Sequence, residues 1–241
     1  MRLLFRGQVP KDLNYPEVIE DALEVDPHAS RAVLSDGASE SFDSKSWAQL
    51  LTKAFIRSTS LTPDWLEEIV REYNTLYDLS TLSWSKFAAF ERGSFATLLG
   101  VEESSAHDSI KILSVGDCLA VFLDGAEFID SFPYNNPSQF KNRPELFCTN
   151  PIHNGFLDKL DFYARHSLSW SVDLAEHPVV LCMTDALGEW ALKMGQEGDP
   201  QWETLLSITE TAHLEMIVIE EREKRRMRVD DVTLVSLAFK G

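Results

Sequence analysis

Cysteine is scarce in this chain, and its placement suggests no pairing. Cys118, Cys148 and Cys182 are an odd number of residues, widely spaced, with no CxxC among them. Cys118 and Cys182 lie in apolar strand-like runs, where a reduced thiol acts as a small hydrophobe. The pattern fits a reducing cytoplasm. Long apolar runs are also missing: none approaches the ~18 residues of a transmembrane helix. The N-terminal MRLLFRGQVP has two charges within six residues and no extended apolar region, so it does not read as a secretory signal. Positive charge is in short supply, with 22 Lys and Arg against 39 Asp and Glu and a formal net charge of −17. That argues against general binding to nucleic acid or anionic membranes, which need a positive field. The six His residues form no HxH or HExxH pattern, which argues against a zinc hydrolase. There is no internal repeat and no low-complexity segment.

What is present is ordinary for a globular protein: 241 residues, 44% hydrophobic and 25% charged. That is enough chain for one large domain or two small ones. Residues 2–5 read as a first strand, and 6–20 as a loop containing Pro10 and Pro16. DALEV (21–25) and RAVLS (31–35) read as strands joined in a hairpin-like way. Residues 44–58 carry apolar side chains at helical spacing. A second helix opens at Thr62, a candidate cap, followed by Pro63, and continues with a break to about Arg92. Short strand-like runs then follow at 95–102, 109–117, 118–125 and 126–132. Residues 133–156 are rich in Pro and Asn and read as a long, flap-like loop. Strands return at 166–174 and 178–186, a mostly helical stretch fills 199–227, and 230–239 is a last strand. The Trp residues at 47, 65 and 84 mark helix faces and are expected in the core. This order is not alternating βαβ; it predicts a layered α+β domain with antiparallel sheets and segregated helices.

One short stretch, RAVLSDGASES, sets the functional question. Ala32 to Ser35 form an apolar run that ends at Asp36 and Gly37. Asp-Gly is a common turn signal. It is also what a hard metal ion takes: a carboxylate, and beside it a backbone carbonyl with no side chain in the way. Other acids are placed the same way. Glu20 and Asp21 stand at the entry to the preceding strand, Asp117 lies between two strands, Asp185 follows a buried apolar run, and Asp230 and Asp231 open the last strand. Carboxylates gathered in a partly buried site repel each other and lose hydration. A pair of Mg²⁺ or Mn²⁺ ions would resolve that, and would also activate water and clamp a phosphate. Each single Asp is otherwise a turn or a cap.

These pieces, in this order, resemble the metal-dependent, type 2C serine/threonine phosphatase family. EDALEVDPHASRAVLSDGAS resembles the family's acidic pair and Asp-Gly strand, and GSFATLLGV its Gly-Ser-Thr strand. SVGDCLAVFLDG, VVLCMTDALGEW and VDDVTLVSL resemble its Val-Gly-Asp-Ser hairpin, Thr-Asp-Gly strand end and Asp-Asn-x-Thr strand. The resemblance spans about residues 20–239 and implies one phosphatase domain over 1–241. The implied fold is a four-layer αββα sandwich, two antiparallel β-sheets flanked by antiparallel helices. The implied activity is hydrolysis of phosphoserine and phosphothreonine monoesters by metal-activated water. Asp36 would bridge two Mg²⁺ or Mn²⁺ ions, with the Gly37 carbonyl on one and Asp185 and Asp230 on the other. Asp21 would hold metal-bound waters, with Glu20 beside it, and Asp117 would join Asp185 at a third metal site. The implied partner is a phosphorylated protein, with no nucleic acid and no membrane. The expected protein is a stand-alone cytoplasmic monomer without an appended regulatory segment.

The chain departs from the family pattern in several places. Where an Arg often precedes the acidic pair, Tyr15 and Pro16 stand. Lys11 is the nearest upstream cation, and a candidate to hold the substrate phosphate as a point charge rather than a fork. ASES follows Asp-Gly, Ala186 follows Asp185, and Asp231 stands where Asn is common. The alternative function is a pseudophosphatase that keeps the fold as a binding or regulatory module. The basic run EEREKRRMR (220–228) reads as a solvated helix face laced with Glu-Arg and Glu-Lys pairs, with partner docking as its alternative. Lys141, Arg143 and His153 in the long loop have two readings, contact with a phosphoprotein or plain solvation.

Overall fold

The computed structural model describes residues 1–240. In chain order the strands are β1 (Arg2–Val9), β2 (Ala22–Asp26), β3 (Arg31–Ser35), β4 (Phe95–Ala96), β5 (Leu98–Glu103), β6 (Ser109–Val115), β7 (Leu119–Asp124), β8 (Glu127–Phe132), β9 (Phe147–Cys148), β10 (Ser167–Ser171), β11 (Pro178–Met183) and β12 (Val232–Ala238). The helices are α1 (Ser44–Arg57), α2 (Pro63–Asn74), α3 (Trp84–Arg92), α4 (Phe162–His166), α5 (Asp185–Glu197), α6 (Gln201–Leu206) and α7 (Thr211–Glu223). Two five-stranded antiparallel sheets result, ordered β1-β12-β11-β7-β8 and β10-β6-β5-β3-β2.

Three apolar layers hold the stack together. Between the sheets, Leu34, Leu99, Val101, Ile110 and Ile112 of one face Phe122, Val180, Cys182, Val235 and Leu237 of the other. On the outside, α5, α6 and α7 cover the first sheet through Leu187, Trp190, Leu205 and Leu214. On the opposite side, α1 and α2 cover the second through Trp47, Leu51, Phe55 and Ile69. Strands buried on both faces explain the near-continuous apolar runs VVLCM and TLVSLA. The α+β sandwich expected from the sequence is the fold observed.

Element ends differ from expectation at several points. β1 runs on to Val9, because β12 supplies a full antiparallel partner from Arg2↔Ala238 to Val9↔Val232. Asp185 is the first residue of a helix rather than the end of a strand, and that helix, α5, was not anticipated. The short α4 was also missed. The helical stretch at the C-terminal side stops at Glu223, so the second half of the basic run lies beyond the helix. Trp47 and Trp65 are core residues as expected, but Trp84 is 85% exposed, since it opens α3, a helix with no buried residue. Residues 133–156 have little regular structure, yet Phe140 is buried against the α5 side and Phe147 in the α1–α2 layer. The three cysteines are buried and free, and among the described residues no helix is long and apolar enough to cross a membrane.

Gly100 shows how tightly the helix layer sits on its sheet. A Cβ there would lie 2.1 Å from the Phe55 ring. Phe55 is itself buried, so Gly100→Ala forces a rigid ring into a packed layer. Chemical denaturation is expected to show a loss of about 1–3 kcal/mol. A neutral result would mean the α1 layer is loosely packed.

Candidate metal centre

Strand register brings the acids together. In the β2–β3 hairpin Ala22 pairs with Ser35, so Asp21 and Asp36, one residue further out on each strand, share the same open end. In the other sheet Met183 of β11 pairs with Leu234 of β12, which places Asp185 and the Asp230–Asp231 pair at one end as well. Asp117 lies in the link from β6 to β7, where the chain crosses from one sheet to the other. Gly116 makes that link possible: its φ is +117°, and a Cβ would lie 2.5 Å from Thr97. Thr97 in turn holds the Asp36 backbone, accepting from its N–H through Oγ1 at 2.8 Å and donating to its carbonyl at 2.9 Å. Gly37 is just as confined, since a Cβ would meet the Glu20 carbonyl and Ser44, each at 2.9 Å.

The electrostatics are those of carboxylates with too little compensation. Burial, then Asp231 and Asp230, push the Asp21 carboxyl up to about 7, against the pull of Thr233, which donates to Oδ2 at 2.6 Å. The other oxygen, Oδ1, is buried with no hydrogen-bond partner. Burial holds Asp36 well above the ordinary carboxylate range, and the charges of Asp21, Asp117 and Asp230 raise it further. Asp117 is raised by burial and by Asp230, with Arg228 working the other way. Asp36, Asp21, Asp117 and Asp230 therefore form one interacting group.

The remaining predicted residues are engaged elsewhere. Glu20 accepts from Lys11 Nζ at 2.5 Å and from Ser39 and Ser44, also at 2.5 Å. Lys11 thus sits on Glu20 and on Ser39, 2.8 Å away. Asp185 forms an ion pair with Arg228 through Oδ2, while its Oδ1 is buried without a partner. Asp231 is a clamp: its two oxygens accept from the backbone N–H groups of Lys11 at 2.7 Å and Glu20 at 2.8 Å. Thr184 and Thr233 tie the ends of β11 and β12 together, through bonds of 2.9 and 3.2 Å.

Sequence reasoning missed Arg228, Thr97, Thr233 and the role of Asp231. The one available signal for Arg228 was its place two residues before Asp230. The oxygen-only donor set, two orphaned buried carboxylate oxygens and the raised pKa of Asp21 and of Asp36 fit a hard divalent cation. Among the described residues, however, no three His, Cys, Asp or Glu side chains stand close enough to hold one ion. Glu20 is turned to Lys11 and Asp185 to Arg228, each a cation supplied by the chain itself.

No family model matches the chain, and no curated protein does. Solved structures do. The serine/threonine phosphatase Stp1 from Staphylococcus aureus superposes with a TM-score of 0.59 at 14% identity, covering 100% of this chain and 96% of that one. The Mycobacterium tuberculosis serine/threonine phosphatase PstP/Ppp gives 0.53 at 16% identity over 100% of both chains. The photosystem II phosphatase PBCP gives 0.52 at 16% identity over 98% of both. At these identities the likeness is one of fold: the chain has the fold of the type 2C serine/threonine phosphatases. It is the fold that its five ordered motifs resemble.

Asp21 gives the site a stability signature. Its folded-state pKa of about 7 lies above the ordinary 3.8, so the folded protein holds this proton more tightly than the unfolded chain. The contribution is intact below pH 3.8 and is lost as pH rises to about 7. In chelator, Asp21→Asn is expected to be more stable than the parent, by a gap that widens from about pH 4 to 7 and reaches roughly 2–4 kcal/mol. Denaturation at a series of pH values measures it, and a gap that is flat with pH would show that the carboxylate is not buried as a charge.

Proposed function

We propose that this protein is a metal-dependent serine/threonine phosphatase acting on phosphoproteins, as a cytoplasmic monomer, with two Mg²⁺ or Mn²⁺ ions and room for a third. The observation that carries the proposal is the convergence of Asp21, Asp36, Asp117 and Asp230 at the open ends of two sheets, with an oxygen of Asp21 left buried and unpartnered. The type 2C phosphatase fold supports it. Asp36, Asp185, Asp230 and the Gly37 carbonyl would be the protein's ligands, with Asp21 orienting water and Asp117 at the third site. Bound there, a divalent pair would supply Lewis acidity, lowering the pKa of water and neutralising the phosphate.

The chain's own residues divide the remaining work. Thr97 and Gly37 fix the Asp36 backbone, so its carboxylate projects from a rigid strand end instead of a free loop. Thr233 orients Asp21 by donating to one oxygen and leaving the other free. Asp231 holds the backbone of Lys11 and Glu20 in place. Lys11 and Arg228 are cations at the rim that pair with site acids, and Arg228 offers the planar fork that Lys11 lacks.

A second reading, a catalytically silent binding module on the same fold, is favoured by one observation. Arg228 already neutralises Asp185, a residue a working metal site would need. p-Nitrophenyl phosphate hydrolysis separates the two. Turnover is expected with Mn²⁺ or Mg²⁺ and none in chelator, and Asp36→Asn is expected to lose about 100-fold or more, a barrier change near 3 kcal/mol. Folded parent protein that turns over with neither metal would establish the silent module.

A further inference from the structure

A second charged feature adjoins the acid cluster. A cleft of about 430 Å³ lies between α5 and the segment that follows α7. Lys193, Arg222, Arg225, Arg226 and Arg228 line it, and Glu189 is the only acid among its described lining residues. Ala186 and Arg228 form part of the wall, so the cleft opens beside Asp185.

Its cations are not all spent on the protein's own acids. Arg226 is neutralised by Glu221 at 2.6 Å and faces Asp199 at 3.4 Å, and Arg228 is paired with Asp185. Arg222 donates to the backbone carbonyls of Pro10 and Asp230, which carry no full charge. Lys193 and Arg225 are exposed and make no ion pair or hydrogen bond through their side chains among the described residues. The chain carries a net charge of −17, so excess positive charge in one concavity runs against the rest of the surface.

The backbone at Arg225 is left-handed, as it also is at Ser30, Asp43, His107 and Lys240. Its φ is +57°, in the left-handed region, immediately after the C-cap Lys224 of α7. Glycine or asparagine ordinarily takes that position, because a Cβ there crowds the carbonyl. Here a long cationic side chain stands in a conformation that glycine would adopt without cost.

We propose that this cleft is a subsite for acidic side chains of the protein substrate. The ligand class is a peptide segment in which glutamate or aspartate clusters beside the phosphorylated residue. Guanidinium groups take carboxylates in paired hydrogen bonds. A concave wall of one sign focuses that attraction while the acidic surface elsewhere repels the same peptide. The term substrate rests on the phosphatase reading above; the binding of acidic peptide does not.

The experiment uses the intact chain in Mg²⁺ buffer and a labelled peptide with alanine at the phosphosite, flanked by glutamates. Its counterpart carries glutamine instead. Fluorescence anisotropy at low salt is expected to show the glutamate peptide bound about tenfold more tightly, with the difference falling as salt rises. Lys193→Glu with Arg225→Glu is expected to abolish the preference. A control pair, Lys53→Glu with Lys86→Glu on the helices of the opposite sheet, makes the same net-charge change and should leave the preference in place. Arg225→Gly is expected to weaken glutamate-peptide binding several-fold while melting no lower than the parent, since it relieves the left-handed residue. Equal affinity for the two peptides overturns the proposal, and so does an equal loss in the control pair. Because no phosphate is present, a failure of turnover elsewhere leaves this result intact, and the two readings fail separately.

Discussion

Mutual repulsion of carboxylates at the open ends of the sheets is the constraint around which this structure is arranged. Register alone puts them there. A hairpin that pairs Ala22 with Ser35 must carry Asp21 and Asp36 at its mouth, and the β11–β12 pairing does the same for Asp185 and Asp230. The neighbouring residues answer that concentration of charge. Thr233 donates to Asp21, Arg228 pairs with Asp185, and Lys11 pairs with Glu20. Asp231, whose charge is among those that raise Asp21, is held by accepting two backbone N–H groups, with the charges of Lys11 and Arg222 close by. The sandwich beneath supplies the rigidity: strands covered on both faces cannot move apart to relieve the repulsion.

The sandwich was largely legible in the sequence because burial on both faces leaves a strong mark. Runs such as VVLCM admit few readings once turn residues bound them. Helices with caps, such as Thr62-Pro63 before α2, were legible for the same local reasons. The losses have physical causes too. β1 is longer than its apolar start because its partner β12 lies at the far end of the sequence, and a local pattern carries no trace of that pairing. The helix α5 was hidden because it begins at once after an apolar strand, with Thr184 making no side-chain cap. Trp84 was read as a core residue on a helix face, yet α3 meets the α1–α2 layer through Phe90 and leaves Trp84, its first residue, exposed.

The site was legible in part. The acids stood out because a carboxylate at the end of an apolar strand is unusual, and the ordered motifs gave them company. Their side-chain partners left no such sign. Arg228 sits in a basic run whose pattern suits a solvated helix face, and only the end of α7 at Glu223 turns that run into a wall of a cleft. Asp231 looked like a variant of a family Asn, and its work as a backbone clamp depends on Lys11 and Glu20 being brought alongside. The fold is shared with phosphatases at 14–16% identity, which fits a structure whose layers need apolar patterning more than particular residues.

The order of the first sheet has a further consequence for how the chain acquires its shape. β1 has one neighbour, β12, and β12 lies between β1 and β11. On the ribosome the opening strand therefore emerges long before its only partner exists. Until the final segment arrives, both β1 and β11 present an unpaired edge that can recruit another chain. Pairings this distant in sequence make folding slow. The same final segment brings Asp230, Asp231 and Arg228, so the electrostatic centre is assembled last and at one stroke. A nascent chain halted before that point would hold its fold half-built, its acids apart and its open strand edges sticky.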